Sequence, residues 1–289
     1  MSWILFTLLA VVLWSTSNVI DKNLFLYYFK RPIFGVGFQA MLASVYALLA
    51  FIIFDVAFRF APFMLGAFWL ALLLLYFKAM KVEEASRVAA YFSGIPAMVA
   101  ILAYFFLGER FGIMTYLGIG LIISGGILLS IKKHKSKSRL SKVLPYILLF
   151  ILIYSVYSIL VKHYVNIYGF LTVFSNMQLG IFALGIPFIL IYRKDIMKIR
   201  PRGLILFAVS HFFAILALFS FFLAASQGPI TLISPLLELQ GAVVFISATI
   251  LTLFLPKIIK EDISKDHLIL KAIAVFCMTI GAVLVSMYG

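Results

Sequence analysis

Charged side chains are scarce in this chain, and acidic ones are the scarcest. Only 12% of the 289 residues are Asp, Glu, Lys or Arg, and ten residues are acidic. A soluble globular domain carries about 25% charged residues, so this composition excludes a soluble domain. Apolar residues make up 65% of the chain and the mean hydropathy is +1.16, which indicates a protein that crosses a membrane many times.

Cysteine is almost absent as well. The single cysteine, Cys277, lies in an apolar run, so the chain can form no internal disulfide and no cysteine-based metal cluster. We interpret Cys277 as a packing residue. The opening residues, MSWILFTLL, contain neither a basic segment nor a small-residue cleavage site, so we interpret them as a retained helix and not as a signal peptide.

Catalytic signatures are missing too. The sequence contains no His-Glu-x-x-His, no Gly-rich phosphate loop followed by Lys-Ser/Thr and no Gly-x-Ser-x-Gly, and its four histidines are scattered. We therefore expect no enzymatic activity, no cofactor and no metal site. The net charge of +14 does not indicate nucleic-acid binding, because the basic residues lie in short loops between apolar runs.

Long apolar runs dominate what is present. A helix needs about 20 mostly apolar residues to cross the hydrocarbon layer of a membrane, and ten runs approach or exceed that length. The predicted spans are Ser2–Ile20, Pro32–Phe54, Pro62–Phe77, Val88–Leu107, Phe111–Ile131, Val143–Val161, Phe170–Tyr192, Leu204–Ala225, Pro229–Leu255 and Leu268–Tyr288. The fold class predicted from these runs is an all-α integral membrane protein with ten transmembrane helices.

The two halves of the chain resemble each other. A shift of 140 residues places Trp14 over Tyr154, Asn18 over Ser158 and Lys22 over Lys162, and a shift of 156 places GGILLS over GAVLVS. Such matches predict a first repeat at residues 1–131, a basic linker at 132–142 and a second repeat at 143–289. Because each repeat contains five spans, the two copies must enter the membrane in opposite senses.

A family resemblance rests on the end of the first repeat. The stretch KAMKVEEASRVAAYFSGIPAMVAILAYFFLGERF, followed by YLGIGLIISGGILLS, resembles the EamA-type half of the drug/metabolite transporter superfamily. The shared features are a short third helix, small residues opening the fourth, a proline within the fourth, a Leu-Gly-Glu-Arg turn and a glycine-rich fifth helix. In the second half FLPKIIKED replaces that turn. The resemblance implies a carrier with an inverted repeat and a cavity lined by helices 1, 3, 4, 6, 8 and 9.

Loop charge predicts the orientation. Of the 24 Lys and Arg residues, 21 lie in the odd-numbered connections and three in the even-numbered ones. The positive-inside rule then makes the odd connections cytoplasmic and places both termini outside the cytoplasm. Many EamA-type relatives are thought to run the other way, and we follow the charge count.

Polar and aromatic residues within the spans are the candidates for binding substrate, since such groups face the interior or water. Aromatic rings could hold an apolar ring or a cation, although most of them only pack. The candidates are Trp14, Asn18, Tyr91, Ser93, Tyr154, Tyr157, Ser158, His211, Glu238 and Gln240. For Gln39, Asn176 and Gln178, an interhelical hydrogen bond is the predicted role.

Gating candidates lie at bends and span ends. Pro96 and Pro235 are predicted to interrupt the hydrogen-bond ladders of the fourth and ninth spans, either as gating bends or as kinks without function. Asp21, Lys22 and Lys162 lie at span ends. They could seal the mouths of the cavity or attract anionic substrates, and the alternative for the two lysines is snorkelling to the membrane interface.

Glu238 is the one acidic residue well inside a predicted span. An unpaired carboxylate at that depth costs about 3 kcal/mol, so it should be paired, protonated or facing a cavity. The residue is a candidate for proton coupling or for pairing with a cationic substrate, and His211 on the eighth span is its candidate partner. The alternative is a protonated side chain bonded across helices.

The sequence therefore predicts a multi-pass transporter of the cell membrane. We expect it to export a small metabolite or drug-like compound by alternating access, driven by a gradient of substrate or protons. Its expected partners are that substrate, membrane lipids and protons, without nucleic acid, and the chain is expected to be a monomer or homodimer. The alternative is a membrane protein without transport activity, such as a lipid scramblase or an assembly subunit.

Overall fold

The computed structural model describes residues 2–29, 31–82, 88, 91–130, 140–196, 199–254 and 265–289. Within these ranges the chain forms helices and short turns and no β-strand. The helices are α1 (Ser2–Tyr27), α2 (Pro32–Phe54), α3 (Phe60–Val82), α4 (Ile95–Phe106), α5 (Ile113–Ser130), α6 (Leu140–Tyr168), α7 (Phe170–Ile196), α8 (Pro201–Gln227), α9 (Ile230–Leu237), α10 (Leu239–Phe254) and α11 (Lys265–Tyr288). A 3-10 turn, Phe92–Gly94, directly precedes α4.

These helices confirm the predicted ten-helix membrane fold. Over the described part of the chain, eight helical segments are long and apolar enough to cross a membrane, with α9 and α10 together forming one of them. The other two spans, containing α4 and α5, are shorter apolar helices. Away from their ends, helices satisfy their backbone N–H and C=O groups internally, which lipid demands because it offers no hydrogen-bond partners.

Several helices extend further than the apolar runs that predicted them. The first span was predicted to end at Ile20, but α1 continues to Tyr27 and includes Asp21 and Lys22. No proline or glycine interrupts this stretch, and both polar side chains have partners on neighbouring helices, so the helix has no reason to end at the first charge. Most of the predicted basic linker at 132–142 lies outside the described residues.

Consecutive spans run in opposite senses, so the helix ends collect at two faces of the bundle. We call the face that carries the odd-numbered connections the odd-loop face, and the opposite one the even-loop face. Contacts at the even-loop face join the start of α1 to the end of α8 through Ser2 and Gln227. They also join the start of α5 to the end of α11, since the Thr115 hydroxyl donates to the Tyr288 carbonyl at 2.8 Å.

Helix α1 packs along α8, α2 along α7 and α5 along α11, while α3 packs against α6 and α7. Glycines allow the closest of these approaches. A Cβ added at Gly180 in α7 would lie 1.9 Å from the Phe63 carbonyl oxygen of α3, and one added at Gly281 in α11 would lie 2.5 Å from the Gly118 carbonyl oxygen of α5. Small residues bring backbones together in membrane bundles, where helix association depends on van der Waals packing.

Candidate functional site

A cavity of about 120 Å³ lies between helices from both halves of the chain. That volume is several times what one buried water molecule needs. Its walls come from α1, α3, α6 and α8, from the start of the fourth span, from the turn between α9 and α10, and from Gln39 on α2. The lining residues are Trp14, Ser17, Asn18, Asp21, Gln39, Trp69, Leu72, Leu73, Tyr76, Phe77, Phe92, Ile95, Phe150, Tyr154, Phe207, Ser210, His211, Ala214, Ile215, Leu218, Leu237, Glu238 and Gln240.

Six of the ten predicted substrate-binding residues line this cavity, and the gating candidate Asp21 joins them. The six are Trp14, Asn18, Tyr154, His211, Glu238 and Gln240. Sequence reasoning missed Trp69, Tyr76 and Ser210, because an aromatic or hydroxyl residue within a span is usually a packing residue. Gln39, for which an interhelical hydrogen bond was predicted, also lies in the cavity wall.

The other four candidates lie away from the cavity wall. Tyr157 is fully buried toward α3 and α7, where its hydroxyl donates to the Met177 sulfur at 3.2 Å. Ser158 lies one turn closer to the even-loop face than Tyr154, and its hydroxyl donates to the Tyr154 carbonyl at 2.8 Å. Ser93 is buried in the 3-10 turn, and Tyr91, next to that turn, packs against the hydrophobic core.

Asp21 is the centre of a polar network on the odd-loop side of the cavity. The side chain is 5% exposed, and its carboxyl oxygens lie 2.5 Å from the Ser210 hydroxyl of α8 and 3.0 Å from the Tyr76 hydroxyl of α3. The Tyr76 oxygen also lies 2.5 Å from the Asn18 amide oxygen. The prediction that placed Asp21 at a span end is therefore corrected: its helix continues for six more residues, to Tyr27, and the carboxyl group lies inside the bundle.

Glu238 lies where the ninth span is interrupted. Helix α9 ends at Leu237 and α10 begins at Leu239, and the Glu238 backbone N–H is bonded to the Pro235 carbonyl at 3.1 Å. The side chain is 7% exposed and faces the cavity. The interruption directs this carboxyl group into the cavity, and no described side chain donates a hydrogen bond to it.

His211 is not hydrogen-bonded to Glu238 in the described structure. Its Nε2 atom is buried without a partner, and its ring lies 5.6 Å from the Tyr46 ring and 6.0 Å from the Phe207 ring, centroid to centroid. The pair predicted from the two spans therefore shares one cavity without direct contact.

Each of the two predicted gating prolines lies beside an irregular turn. Pro96 lies in the first turn of α4, directly after the 3-10 turn, and not in a helix interior as predicted. Proline is favoured there because the first-turn N–H has no intrahelical acceptor. Pro235 lies inside α9, three residues before Glu238. Both spans are thus irregular at membrane depth next to the cavity, where irregular backbone is tolerated.

The two matched lysines make matched contacts. Near the odd-loop face, the Lys22 ammonium donates to the Met80 carbonyl at the end of α3, at 3.0 Å. Near the even-loop face, the Lys162 ammonium donates to the carbonyls of Ala225 and Gly228 at the end of α8, at 2.8 and 2.9 Å. Cations favour helix C-termini, where carbonyls lack intrahelical partners. Both ammonium groups therefore stabilise the C-terminal ends of neighbouring helices.

Glu109, from the Leu-Gly-Glu-Arg turn, holds the start of α9. One carboxylate oxygen accepts from the Ile230 backbone N–H at 3.0 Å, and the other accepts from that of Thr231 at 2.9 Å. A carboxylate at a helix N-terminus satisfies N–H groups that have no intrahelical acceptor and complements the helix dipole. Together with Lys162, it ties the fourth, sixth, eighth and ninth spans at the even-loop face.

The cavity wall contains acidic residues but no strongly basic ones among its described lining. Its described lining contains two carboxyl groups, Asp21 and Glu238, and neither lysine nor arginine. The remaining lining is largely aromatic and aliphatic, with Trp14, Trp69 and Tyr154 among the aromatic residues. Carboxyl groups and aromatic faces both attract cations, whereas an anion would find no cationic side chain among these residues.

Comparison with known proteins finds a family similar to the first half of the chain. Residues 1–131 match the model of the EamA-like transporter family. A curated protein from Sinorhizobium sp, described as "Uncharacterized transporter in cobO 3'region", is 42% identical over 66 residues. That match covers 23% of this chain and 44% of the relative's length, so the chain spans less than half of that relative.

The fold is also found in a solved structure. The superposition, with a protein described only as "Crystal structure of protein", has a TM-score of 0.72 at 17% identity and covers 98% of this chain and 96% of the other. At that identity the likeness establishes the fold alone. The chain is thus a ten-helix membrane protein whose residues 1–131 are similar to the EamA-like transporter family, in agreement with the resemblance drawn from the sequence.

Proposed function

We propose that this protein is a secondary transporter that moves a small compound across the cell membrane by alternating access. The observation that carries the proposal is the cavity itself, which is walled by helices of both halves and contains two buried carboxyl groups. In many transporters, binding sites lie between two repeats near the middle of the membrane. Two observations support a movement of the two halves relative to each other around such a site. One is the match between the halves of the sequence, and the other is the set of contacts at the odd-loop and even-loop faces.

The proposed substrate is a neutral or cationic metabolite or drug-like compound. The aromatic and aliphatic walls suit an apolar body, and Glu238 suits a cationic group or a proton. The chain contains no ATP-binding motif, so a gradient of the substrate or of protons is the proposed driving force. Export is proposed over import, on the family resemblance.

The proposed gates are the two helix-end contacts. At the even-loop face, Lys162 and Glu109 tie four spans together, which supports a conformation closed at that face. The cavity extends instead toward Asp21 and Tyr76, near the odd-loop ends of α1 and α3. Opening at the even-loop face requires Lys162 to leave the carbonyls at the end of α8.

Flux through purified protein in liposomes tests transport directly. Amino acids, organic cations and nucleobases, each radiolabelled, are trapped inside, and their release is followed with and without an imposed pH gradient. Saturable release of one compound supports the proposal. Release of none of them, or equal scrambling of fluorescent lipids without solute release, contradicts it.

Glu238→Gln is the decisive variant. We expect it to lose transport or the dependence of transport on pH, because the amide cannot take up or release a proton or pair with a cation. Expression and melting should stay close to wild type, since Gln is nearly isosteric and the carboxyl group has no hydrogen-bond partner among the described residues. Glu238→Asp, which keeps the acid, is the matched control and should retain pH dependence. Unchanged flux and pH dependence in Glu238→Gln would remove Glu238 from the mechanism.

A further inference from the structure

With the Asn18 amide oriented as in the structure, the hydrogen bonds around Asp21 require one more proton than its neighbours supply. We propose that Asp21 is a proton-binding site of the cavity and that the described conformation is its protonated form. One consequence of this proposal rests on the proposed function: proton release from Asp21 accompanies the change of conformation during transport. Proton binding itself is a property of the resting protein and is tested without any substrate.

Four oxygen–oxygen contacts form a continuous chain through the site. The Asn18 amide oxygen lies 2.5 Å from the Tyr76 oxygen, which lies 3.0 Å from Oδ2 of Asp21. On the other side, Oδ1 of Asp21 lies 2.5 Å from the Ser210 oxygen, which lies 2.9 Å from the Ser17 hydroxyl. Each contact needs one hydrogen between its two oxygens.

Counting the hydrogens shows the shortfall. Tyr76, Ser210 and Ser17 each carry one hydroxyl hydrogen, and the Asn18 oxygen carries none. Three hydrogens cannot fill four contacts if Asp21 is ionised. A proton on Oδ2 completes the chain: Asp21 donates to Tyr76, Tyr76 to Asn18, Ser210 to Oδ1 and Ser17 to Ser210. The weaker contact from Ser210 to the Ser17 carbonyl, at 3.3 Å, competes for the same Ser210 hydrogen and adds none.

One competing arrangement keeps Asp21 ionised. If the Asn18 amide were rotated, its NH₂ group would donate to Tyr76, and Tyr76 would donate to Asp21. In the structure the Asn18 amide oxygen, and not its NH₂ group, faces Tyr76. The rotated arrangement predicts no protonated Asp21 in the infrared measurement described below.

The groups around Asp21 leave it without a cationic partner in the described lining. Helix α3 contributes Tyr76, α8 contributes His211, and the turn between α9 and α10 contributes Glu238. The described residues of α9 and α10 contain no other titratable side chain. Lys22, the next residue on α1, directs its ammonium to the Met80 carbonyl. Protonation lowers the cost of burying this carboxyl group among these neighbours.

Infrared difference spectroscopy on the purified full chain in detergent tests proton binding. The sample is stepped from acidic to alkaline buffer, and the carbonyl stretch of protonated carboxylic acids is followed. Wild type is expected to lose one such band that Asp21→Asn lacks at every pH. In Tyr76→Phe the band should move, because the Asp21 proton loses its acceptor. Glu238→Gln is the matched control for the second acid of the cavity and should keep the Asp21 band.

Thermal unfolding gives the second readout. A native state that holds a proton the unfolded chain has lost becomes less stable as pH rises. The melting temperature of wild type should therefore fall more steeply than that of Asp21→Asn above about pH 4, where an unfolded Asp is ionised. Asn supplies the same donor and acceptor, so the variant should fold normally. Identical spectra and parallel melting curves for wild type and Asp21→Asn would overturn the proposal. These outcomes do not depend on whether liposome transport is found.

Discussion

Glu109 contributes to stability at the scale of a single residue. Its two carboxylate oxygens accept from the first two N–H groups of α9. We expect Glu109→Ala to lower the free energy of unfolding by about 1 kcal/mol, the typical cost of losing a helix cap. Glu109→Gln keeps one acceptor oxygen, so its free energy of unfolding should lie between those of wild type and Glu109→Ala. Denaturant titration in detergent measures the stabilities of the three proteins. An alanine variant as stable as wild type would contradict this prediction.

Individual residues of the site were only partly predictable from the sequence. Glu238 could be singled out because an acid inside a span is conspicuous, and Trp14 because it occupies the same position in the repeat comparison as Tyr154. Tyr76 and Ser210 could not, because their importance comes from meeting Asp21 across three helices. Such a meeting depends on the rotation of each helix about its axis, and spans that are apolar on most sides leave that rotation undetermined.

At the scale of elements, glycines decide how closely α5 and α11 pack. A Cβ at Gly118 would lie 2.8 Å from the Gly281 carbonyl oxygen, whereas one at Gly120, two residues along the same helix, would meet nothing within 4 Å. We expect Gly118→Ala to destabilise the protein by about 1–3 kcal/mol through overpacking. Gly120→Ala is the control and should match or slightly exceed wild type, since Ala favours helix. Melting curves of both variants in detergent test this prediction. Equal decreases in melting temperature for Gly118→Ala and Gly120→Ala would contradict the packing argument.

The existence of the helices was predictable, and their interruptions were predictable only in part. Apolar runs fix the spans because lipid excludes every alternative for the backbone. The extra turns of α1 beyond Ile20 were missed because hydropathy counts Asp21 and Lys22 as exposed, while their partners on α3 and α8 keep them inside the bundle. Pro235 did indicate that the ninth span is interrupted. The exact place of the interruption, at Glu238, depends on tertiary contacts and could not be predicted.

The basic residues of the whole sequence are concentrated in one set of connections. With 21 of 24 Lys and Arg residues in odd-numbered connections, we expect the odd-loop face to be cytoplasmic. A reporter enzyme active only outside the cytoplasm, fused after Gly289, should therefore be active. A cytoplasmic reporter at the same position is the control and should be silent, and the reverse pattern would show that the orientation is inverted.

The ten-helix arrangement could be predicted, and the contacts between helix ends at the even-loop face could not. Counting spans and comparing halves needs only the sequence, and the solved structure with the same fold agrees over 98% of the chain. The contacts of Lys162 and Glu109 belong to one of the conformations that the proposed alternating access requires. A sequence specifies all of these conformations at once, so it does not indicate which one a structure will contain.

The distribution of the indole side chains has an optical consequence. The chain contains three tryptophans, of which Trp14 and Trp69 line the cavity while Trp3 packs beside Gly228 at the even-loop end. Indole fluorescence depends on the polarity of the surroundings and on nearby quenchers. Two of the three tryptophans therefore border the space that a ligand would fill. Trp3 lies apart from that space and serves as an internal reference. The unlabelled protein thus contains its own spectroscopic reporter of cavity occupancy.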